Sequence, residues 1–176
     1  GALGARAPLV VIQSVNNETG VIQPLDTLAG VVAGAGGILF ADCSQSAGKL
    51  PLPPADIIAI SAHKFGGPPG VGALLLNDLG LIGAAGGQEK GYRPGTENLP
   101  GAIGMAAALE APRGWIDRAH DLRSHLDGAI EAAGGLLVAK KSPRLASIAG
   151  YRMPGVPSAA QLIQFDMAGI AGSAGA

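Results

Sequence analysis

The chain has 176 residues, 48% of them hydrophobic, which is enough to bury a core and form one domain or slightly more. Its net charge of -1 gives no electrostatic basis for binding nucleic acid or anionic membranes, and neither a membrane-spanning apolar run nor a signal peptide is recognisable. A single cysteine excludes an intrachain disulfide framework and suits a cytoplasmic protein.

Strands and helices alternate along the first half of the chain. A helix is expected to begin at Pro24, a residue tolerated in the first helical turn, and to end at the glycines of residues 34–37. The predicted strands are residues 9–15, 38–41, 57–60 and 72–76. This alternation predicts an α/β fold with a mainly parallel sheet.

The second half of the chain follows a different pattern, which begins with a glycine-rich excursion over residues 77–95. The predicted elements beyond it are helices at residues 99–109, 116–133 and 159–167 and short strands at residues 136–138 and 145–148. We expect a domain boundary near Gly114. His120 and His125 are not spaced as paired ligands on one helical face, so no metal site is expected.

The most informative stretch begins at Ser61, where Lys64 follows a hydrophobic strand and precedes a turn rich in glycine and proline. Glycines let a backbone and a ligand approach closely, and prolines stiffen the turn. A lysine that is desolvated at the end of a buried strand favours the neutral amine that a Schiff base requires. Ser61 and His63 add donors suited to a phosphate group. The stretch therefore predicts a site for pyridoxal phosphate, an aldehyde that carries a phosphate.

Two upstream strands also end in polar residues. Asp42 closes the strand at residues 38–41, and the strand at residues 9–15 runs into Asn16 and Asn17. A pyridoxal phosphate site needs an acidic partner for the ring nitrogen, because a protonated ring is the better electron sink, and Asp42 suits this role. Open α/β sheets bind ligands at the carboxyl ends of their strands, so all three strand ends are candidates for one site.

Four ordered segments carry these candidate residues: residues 15–20 (VNNETG), 42–49 (DCSQSAGK), 61–64 (SAHK) and 93–98 (RPGTEN). Together they resemble the motifs of the cysteine desulfurases, which are fold-type I pyridoxal phosphate enzymes of the class V aminotransferase group. Four motifs in the right order are far more specific than one short pattern. The resemblance implies part of the large cofactor-binding domain in residues 1–114 and part of a smaller C-terminal α+β domain in residues 115–176.

The resemblance also implies the residues that hold the cofactor. Lys64 is the implied catalytic residue, which binds pyridoxal 5'-phosphate through a Schiff base. Asp42 pairs with the pyridine nitrogen, and Ser61 and His63 bind the phosphate.

Three further roles follow from the same resemblance. Asn17 and Gln45 contact ring substituents, Gln45 at the phenolic oxygen. Thr96 reaches the phosphate of the partner subunit's cofactor, because the active sites of this family lie at a homodimer interface. L-cysteine is the implied substrate, and a sulfur-acceptor protein is an implied partner; no nucleic acid or membrane partner is expected.

Structural alternatives remain open for several of these residues. Asp42 is also suited to cap a helix, and Asn17 is suited to shape a turn. Ser61 is able to cap the turn that follows it, and Thr96 the helix that follows it. His63 is able to act as a structural histidine.

The chain departs from the family pattern at both ends. The segment GSAGA, residues 172–176, resembles the family's mobile loop but contains no nucleophilic cysteine. Cys43 is expected to be a small structural thiol beside the cofactor. The family's first phosphate loop and ring-stacking residue are not recognisable before Leu9. We therefore expect an internal part of a longer enzyme, with doubtful activity on its own.

Three functions stay open at this point. The first is a cysteine desulfurase, which converts L-cysteine to L-alanine and passes sulfur on as a persulfide for iron-sulfur cluster or thio-cofactor assembly. The others are a non-catalytic truncated remnant and a related class V enzyme such as a selenocysteine lyase. The segment at residues 93–98 favours the desulfurase.

Overall fold

The computed structural model describes residues 7–174 and divides the chain into two compact units. Unit 1 contains the chain up to Val15 together with Gln23–Arg113, and unit 2 contains Asn16–Ile22 and the chain from Gly114 onward. No helix in the described part of the chain combines the length and the apolar character that a membrane span requires.

Unit 1 is built on a four-stranded sheet in the order β1-β2-β3-β4. The strands are β1 (Leu9–Gln13), β2 (Ile38–Asp42), β3 (Ile57–Ser61) and β4 (Gly72–Leu76). The first three run parallel, whereas β4 runs antiparallel to β3 with Gly72 opposite Ser61. The predicted α/β fold is thus confirmed, and the sequence pattern did not specify the reversed direction of the last strand.

The first helix of unit 1, α1 (Leu25–Gly34), connects β1 to β2. Pro24 immediately precedes it, and the Pro24 carbonyl accepts the N–H groups of Thr27 and Leu28. The helix ends where Gly36 adopts a φ of 66° and donates its N–H to the Ala33 carbonyl. Glycine suits this left-handed position because it has no Cβ to clash with the backbone.

The second helix of unit 1, α2 (Leu99–Glu110), has a side-chain cap. The Asn98 side chain accepts the Gly101 N–H at 3.1 Å, and Pro100 occupies the first turn. The alternative that Thr96 caps this helix is therefore wrong, because Asn98 fills that position.

The core of unit 1 lies on and around β2 and β3 and contains several small side chains. Its buried members are Leu25, Ala41, Cys43, Ala47, Ile58 and Ile60. Phe65 and Met105 pack against this group from its edge. Cys43 is 0% exposed, which agrees with the predicted structural thiol.

Unit 2 contains two helices and a small sheet. Its elements are α3 (Trp115–Ala132), β5 (Leu136–Leu137), β6 (Tyr151–Arg152) and α4 (Ser158–Met167), and β5 pairs antiparallel with β6. The predicted strand at residues 145–148 is wrong. The Leu145 N–H bonds to the Gly20 carbonyl and the Ile148 N–H bonds back to the Leu145 carbonyl, so these groups form a turn and no sheet ladder.

Candidate functional site

Lys64 lies in a short 3-10 turn, Ala62–Lys64, that directly follows β3. The Ala62 carbonyl accepts the N–H groups of Phe65 at 3.1 Å and Gly67 at 2.9 Å, which closes the turn. Ala62 is fully buried and anchors the turn in the core. A Cβ at Gly67 would lie 2.9 Å from the Ala62 Cβ, so this close return of the chain requires glycine.

The turn leaves His63 and Lys64 exposed. The expectation of a desolvated Lys64 is wrong for this chain, because the turn directs Ala62 into the core and leaves the next two side chains outside. The alternative of His63 as a structural histidine stays open, because its Nδ1 has a hydrogen-bond partner in the Ser61 Oγ. Both side chains are accessible to a ligand from solvent.

Ser61 and His63 form a hydrogen-bonded pair next to Lys64. The Ser61 Oγ and the His63 Nδ1 are 3.0 Å apart, which matches the two-residue spacing of their side chains across the end of β3. The Ser61 side chain makes no capping bond to the turn that follows, so that alternative is wrong. A hydroxyl and an imidazole N–H held together in this way suit the oxygens of a phosphate group.

Asp42 ends β2, the parallel neighbour of β3, and lies opposite Ala59 in the strand register. The half-buried carboxylate accepts the Ser44 N–H at 2.9 Å through Oδ1, and Oδ2 has no hydrogen bond within the part of the chain that the structure describes. Asp42 therefore shapes the local turn with one oxygen. It leaves the other oxygen at the same sheet edge as Ser61.

Gln45 lies in the turn that follows Asp42, and Lys49 holds this turn closed. The Lys49 Nζ donates to the Gln45 carbonyl at 3.0 Å. Gly48 has a φ of 74°, and a Cβ added there would lie 2.8 Å from the Phe65 Cβ. The turn of residues 43–49 thus packs directly against the residue that follows Lys64.

Lys49 lies in the same turn as Gln45, and the sequence analysis did not single it out. Burial, and secondarily the positive charge of Lys64, lower the pKa of Lys49. The ammonium groups of Lys49 and Lys64 are therefore close enough for their positive charges to repel each other. The available signal was its place in the segment DCSQSAGK, four residues after Gln45.

The remaining two candidates are Thr96 and Asn17. Thr96 is exposed in the loop before α2, and its carbonyl accepts a hydrogen bond from Arg93 Nη2 at 3.2 Å. Asn17 belongs to unit 2 and is exposed. The turn-forming role considered for Asn17 belongs to Asn16, whose Oδ1 accepts the Thr19 N–H at 2.9 Å.

The chemistry of the unit 1 residues fits pyridoxal phosphate. An accessible primary amine, a half-buried carboxylate and a hydroxyl–imidazole pair lie at the ends of two adjacent parallel strands. These are the groups required to bind an aldehyde, a ring nitrogen and a phosphate. In this set, Lys64 supplies the amine, Asp42 the carboxylate, and Ser61 with His63 the phosphate donors.

The family model for aminotransferase class V matches residues 1–176. The chain belongs to this family. It is 37% identical over 187 aligned residues to a cysteine desulfurase of Gluconacetobacter diazotrophicus, an alignment that covers 99% of this chain and 47% of that relative. It is 37% identical over 160 residues to the cysteine desulfurase IscS of Anaeromyxobacter sp., covering 84% of this chain and 38% of that relative.

Solved structures show the same similarity. A NifS-like protein from Rickettsia africae superposes with a TM-score of 0.84 at 28% identity, covering 97% of this chain and 51% of that one. Another NifS-like protein has a TM-score of 0.82 at 30% identity, and the match covers 93% of this chain and 48% of that one. The class V chain thus has the expected fold-type I architecture, and it spans about half the length of the curated relatives it matches.

Gly175 and Ala176, at the end of the loop-like segment, lie outside the described residues. Cys43, the only cysteine of the sequence, is buried in unit 1.

Proposed function

We propose that this chain is the lysine-bearing part of a pyridoxal phosphate-dependent cysteine desulfurase. The observation that carries the proposal is the arrangement at the ends of β2 and β3. Lys64 follows β3 on an exposed turn, the Ser61–His63 pair lies next to it, and Asp42 ends the adjacent parallel strand. The relatives named cysteine desulfurase, which match almost the full chain, supply the reaction.

Each residue then has a defined task. Lys64 would hold the aldehyde group of the cofactor through its Nζ. Ser61 and His63 hold the phosphate through charge-assisted hydrogen bonds, and the Asp42 carboxylate stabilises a proton on the ring nitrogen. When bound, the cofactor supplies an electron sink for bond cleavage next to the substrate amine. Exposure of Lys64 leaves it accessible for exchange between cofactor and substrate.

The proposal extends to the residues outside this group. Gln45 contacts the phenolic oxygen of the ring from the turn after β2, and Asn17 contacts another ring substituent. Thr96 binds the phosphate of the cofactor in a second subunit, so the proposed active form is a homodimer. We assign residues 1–114 to the cofactor-binding domain and residues 115–176 to the smaller C-terminal domain.

The proposed substrate is L-cysteine, whose sulfur transfers to a cysteine thiol of the enzyme to form a persulfide and leaves L-alanine. The outer sulfur of the persulfide then passes to a sulfur-acceptor protein. Cys43 is not the proposed persulfide carrier. Its side chain is 0% exposed and it belongs to the core of unit 1, whereas a sulfur nucleophile must approach the substrate sulfur to about 3–3.5 Å. Cytoplasmic iron-sulfur cluster or thio-cofactor assembly is the proposed context.

Borohydride trapping tests the proposal on the 176-residue chain. The chain is incubated with pyridoxal phosphate, reduced and digested, and the modified peptide is identified by mass spectrometry. We expect the label on Lys64 and its loss in Lys64→Ala. Ser61→Ala should weaken labelling without moving it, because it removes a phosphate donor.

Lys49→Met is the matched control, since it removes the neighbouring amine and leaves Lys64 in place. Labelling of Lys64 should persist in this variant. In the wild-type chain, a label found on Lys49, or spread evenly over the exposed lysines, would refute the assignment of Lys64. An intact Lys64 adduct without sulfide release from any longer form of the protein would favour the non-catalytic alternative.

A further inference from the structure

A pair of buried serine hydroxyls in unit 1 joins the end of β1 to the turn that follows β2. The Ser14 Oγ and the Ser46 Oγ are hydrogen-bonded to each other, and the two residues are 6% and 2% exposed. The Ser46 hydroxyl also lies 3.4 Å from the Cys43 carbonyl. Because a carbonyl only accepts, Ser46 donates to Cys43 and accepts the proton of Ser14. Both buried hydroxyl protons therefore have an acceptor.

The bond between Ser14 and Ser46 connects the turn of residues 43–49 to the sheet. Within the described part of the chain, Ser46 is the one residue of this turn whose side chain hydrogen-bonds to another element. The bond from the Lys49 Nζ to the Gln45 carbonyl closes the turn on itself. Of these two side-chain bonds, only the serine pair fixes the middle of the turn relative to β1.

The serine pair lies next to two of the residues proposed to contact the cofactor. Gln45 directly precedes Ser46, and its half-buried side chain has no hydrogen bond in the part of the chain that the structure describes. The placement of the Gln45 amide therefore depends on the backbone of the turn. Ser14 also donates its backbone N–H to the Asp42 carbonyl at 2.8 Å. Through its backbone and its side chain, Ser14 thus bonds to Asp42 and to the neighbour of Gln45.

Stability alone does not require hydroxyl groups at these two positions. Replacing both partners of a buried hydrogen bond by apolar groups of similar shape is often nearly neutral or stabilising. A hydrogen bond adds a preferred distance and direction, which an apolar contact does not impose. We infer that Ser14 and Ser46 are positioning residues, which hold the turn so that the Gln45 amide meets the phenolic oxygen of the cofactor ring. This inference rests on the proposed function, and neither serine is placed in contact with the cofactor.

The test is a thermodynamic cycle on the 176-residue chain, titrated with pyridoxal phosphate and followed by the absorption spectrum of the cofactor. The variant Ser14→Ala/Ser46→Ala removes both hydroxyls together, because removal of one would leave the other buried without its partner. We expect this variant to bind the cofactor about three- to tenfold more weakly, the effect of one lost neutral hydrogen bond. Its midpoint of urea denaturation without cofactor should be unchanged or higher.

The cycle shows whether the serines act through Gln45. Gln45→Ala should weaken binding by the same factor, and the two serine substitutions should then weaken it no further. A further loss of affinity in the Gln45→Ala background would show that the serines act by another route and would overturn the inference. A urea midpoint that falls together with the affinity would reduce the pair to a structural role and would also overturn it.

Ser44→Ala is the matched control, because it makes the same chemical change in the same turn. The Ser44 hydroxyl has no hydrogen bond in the described part of the chain, and the bond from its backbone N–H to Asp42 is kept in the variant. The affinity for pyridoxal phosphate should be unchanged. Equal weakening in Ser44→Ala and in the double serine variant would contradict a specific role of the bond between Ser14 and Ser46.

A measurement without cofactor keeps this inference separate from the proposed function. The ¹⁵N order parameter of the Gln45 backbone N–H should be about 0.85, the value of rigid backbone, and should fall in the double serine variant. An unchanged value would contradict the inference. A wild-type chain that binds no pyridoxal phosphate at Lys64 would refute the proposed function, and the order parameter alone would then decide whether the pair fixes the turn. Equal labelling of Lys64 and equal affinity in the wild type and the double variant would refute only the role of the serines.

Discussion

Replacing Asp127 by asparagine removes the carboxylate that forms ion pairs with both Arg123 and Arg144. The carboxylate accepts three hydrogen bonds from Arg123, Arg144 and Tyr151. A hydrogen bond to a charged group is worth about 1.5–3 kcal/mol, but bonds that share one acceptor group are not additive. Breaking a buried ion pair by removing one partner costs about 3–5 kcal/mol, and we expect Asp127→Asn to fall in this range.

Urea denaturation followed by tryptophan fluorescence measures this loss. Trp115 is the only tryptophan of the chain and begins α3, the helix that carries Asp127, so its signal reports on unit 2. Asp121→Asn on the same helix is the control. The Asp121 side chain is 87% exposed and lies 3.9 Å from His120 Nδ1, so its loss should cost less than about 0.5 kcal/mol.

The pH dependence of the stability difference between the wild type and Asp127→Asn provides a second check. The folded pKa of Asp127 lies below its ordinary value, so the stabilisation by this carboxylate is fully present above the unfolded pKa of about 3.9. It is lost as the pH falls through the folded pKa, and the wild type and Asp127→Asn should then converge in stability. A difference within about 0.5 kcal/mol at neutral pH, or one that grows on acidification, would refute this account of the Asp127 ion pairs.

Three further predictions concern unit 1. Gly66→Ala should lower the free energy of unfolding by about 1–2 kcal/mol, because Gly66 has a φ of 92° but open space around an added Cβ. Gly48→Ala should lower it by about 1–3 kcal/mol more, because the added Cβ would lie 2.8 Å from the Phe65 Cβ. Circular dichroism during urea denaturation compares the two, and equal losses would contradict the steric argument. Hydrogen bonds from the Leu39 N–H and the Asn77 side chain lower the pKa of the Asp56 carboxyl. Asp56→Ala should therefore destabilise the chain by about 1–3 kcal/mol at neutral pH and by less in acid. A loss of stability that does not depend on pH would contradict this prediction. The 176-residue chain, given pyridoxal phosphate, L-cysteine and a reductant, should release no more sulfide than free cofactor does, and release that vanishes in Cys43→Ser would make Cys43 the nucleophile.

Local sequence determined most element positions in unit 1. The strand at β4 and the helix α2 lie at or within one residue of the predicted bounds, because apolar runs and their breakers act over a few residues. The same local signals misassigned residues 145–148. Their apolar pattern suits a strand, but the Leu145 N–H donates to the carbonyl of Gly20, a residue distant along the chain. Hydrophobic pattern carries no information on such long-range pairings.

The candidate site, too, was predictable only in part from the sequence. The order of motifs along the chain was sufficient to nominate Lys64, Asp42 and the phosphate donors, because strand ends in an α/β sheet collect at one edge. Only the tertiary structure showed that Lys64 is exposed, since exposure depends on how the turn after β3 packs. It also revealed the proximity of Lys49 and the two-arginine cluster around Asp127. Those groups meet only through folding, and their charges interact more strongly where burial reduces the water around them.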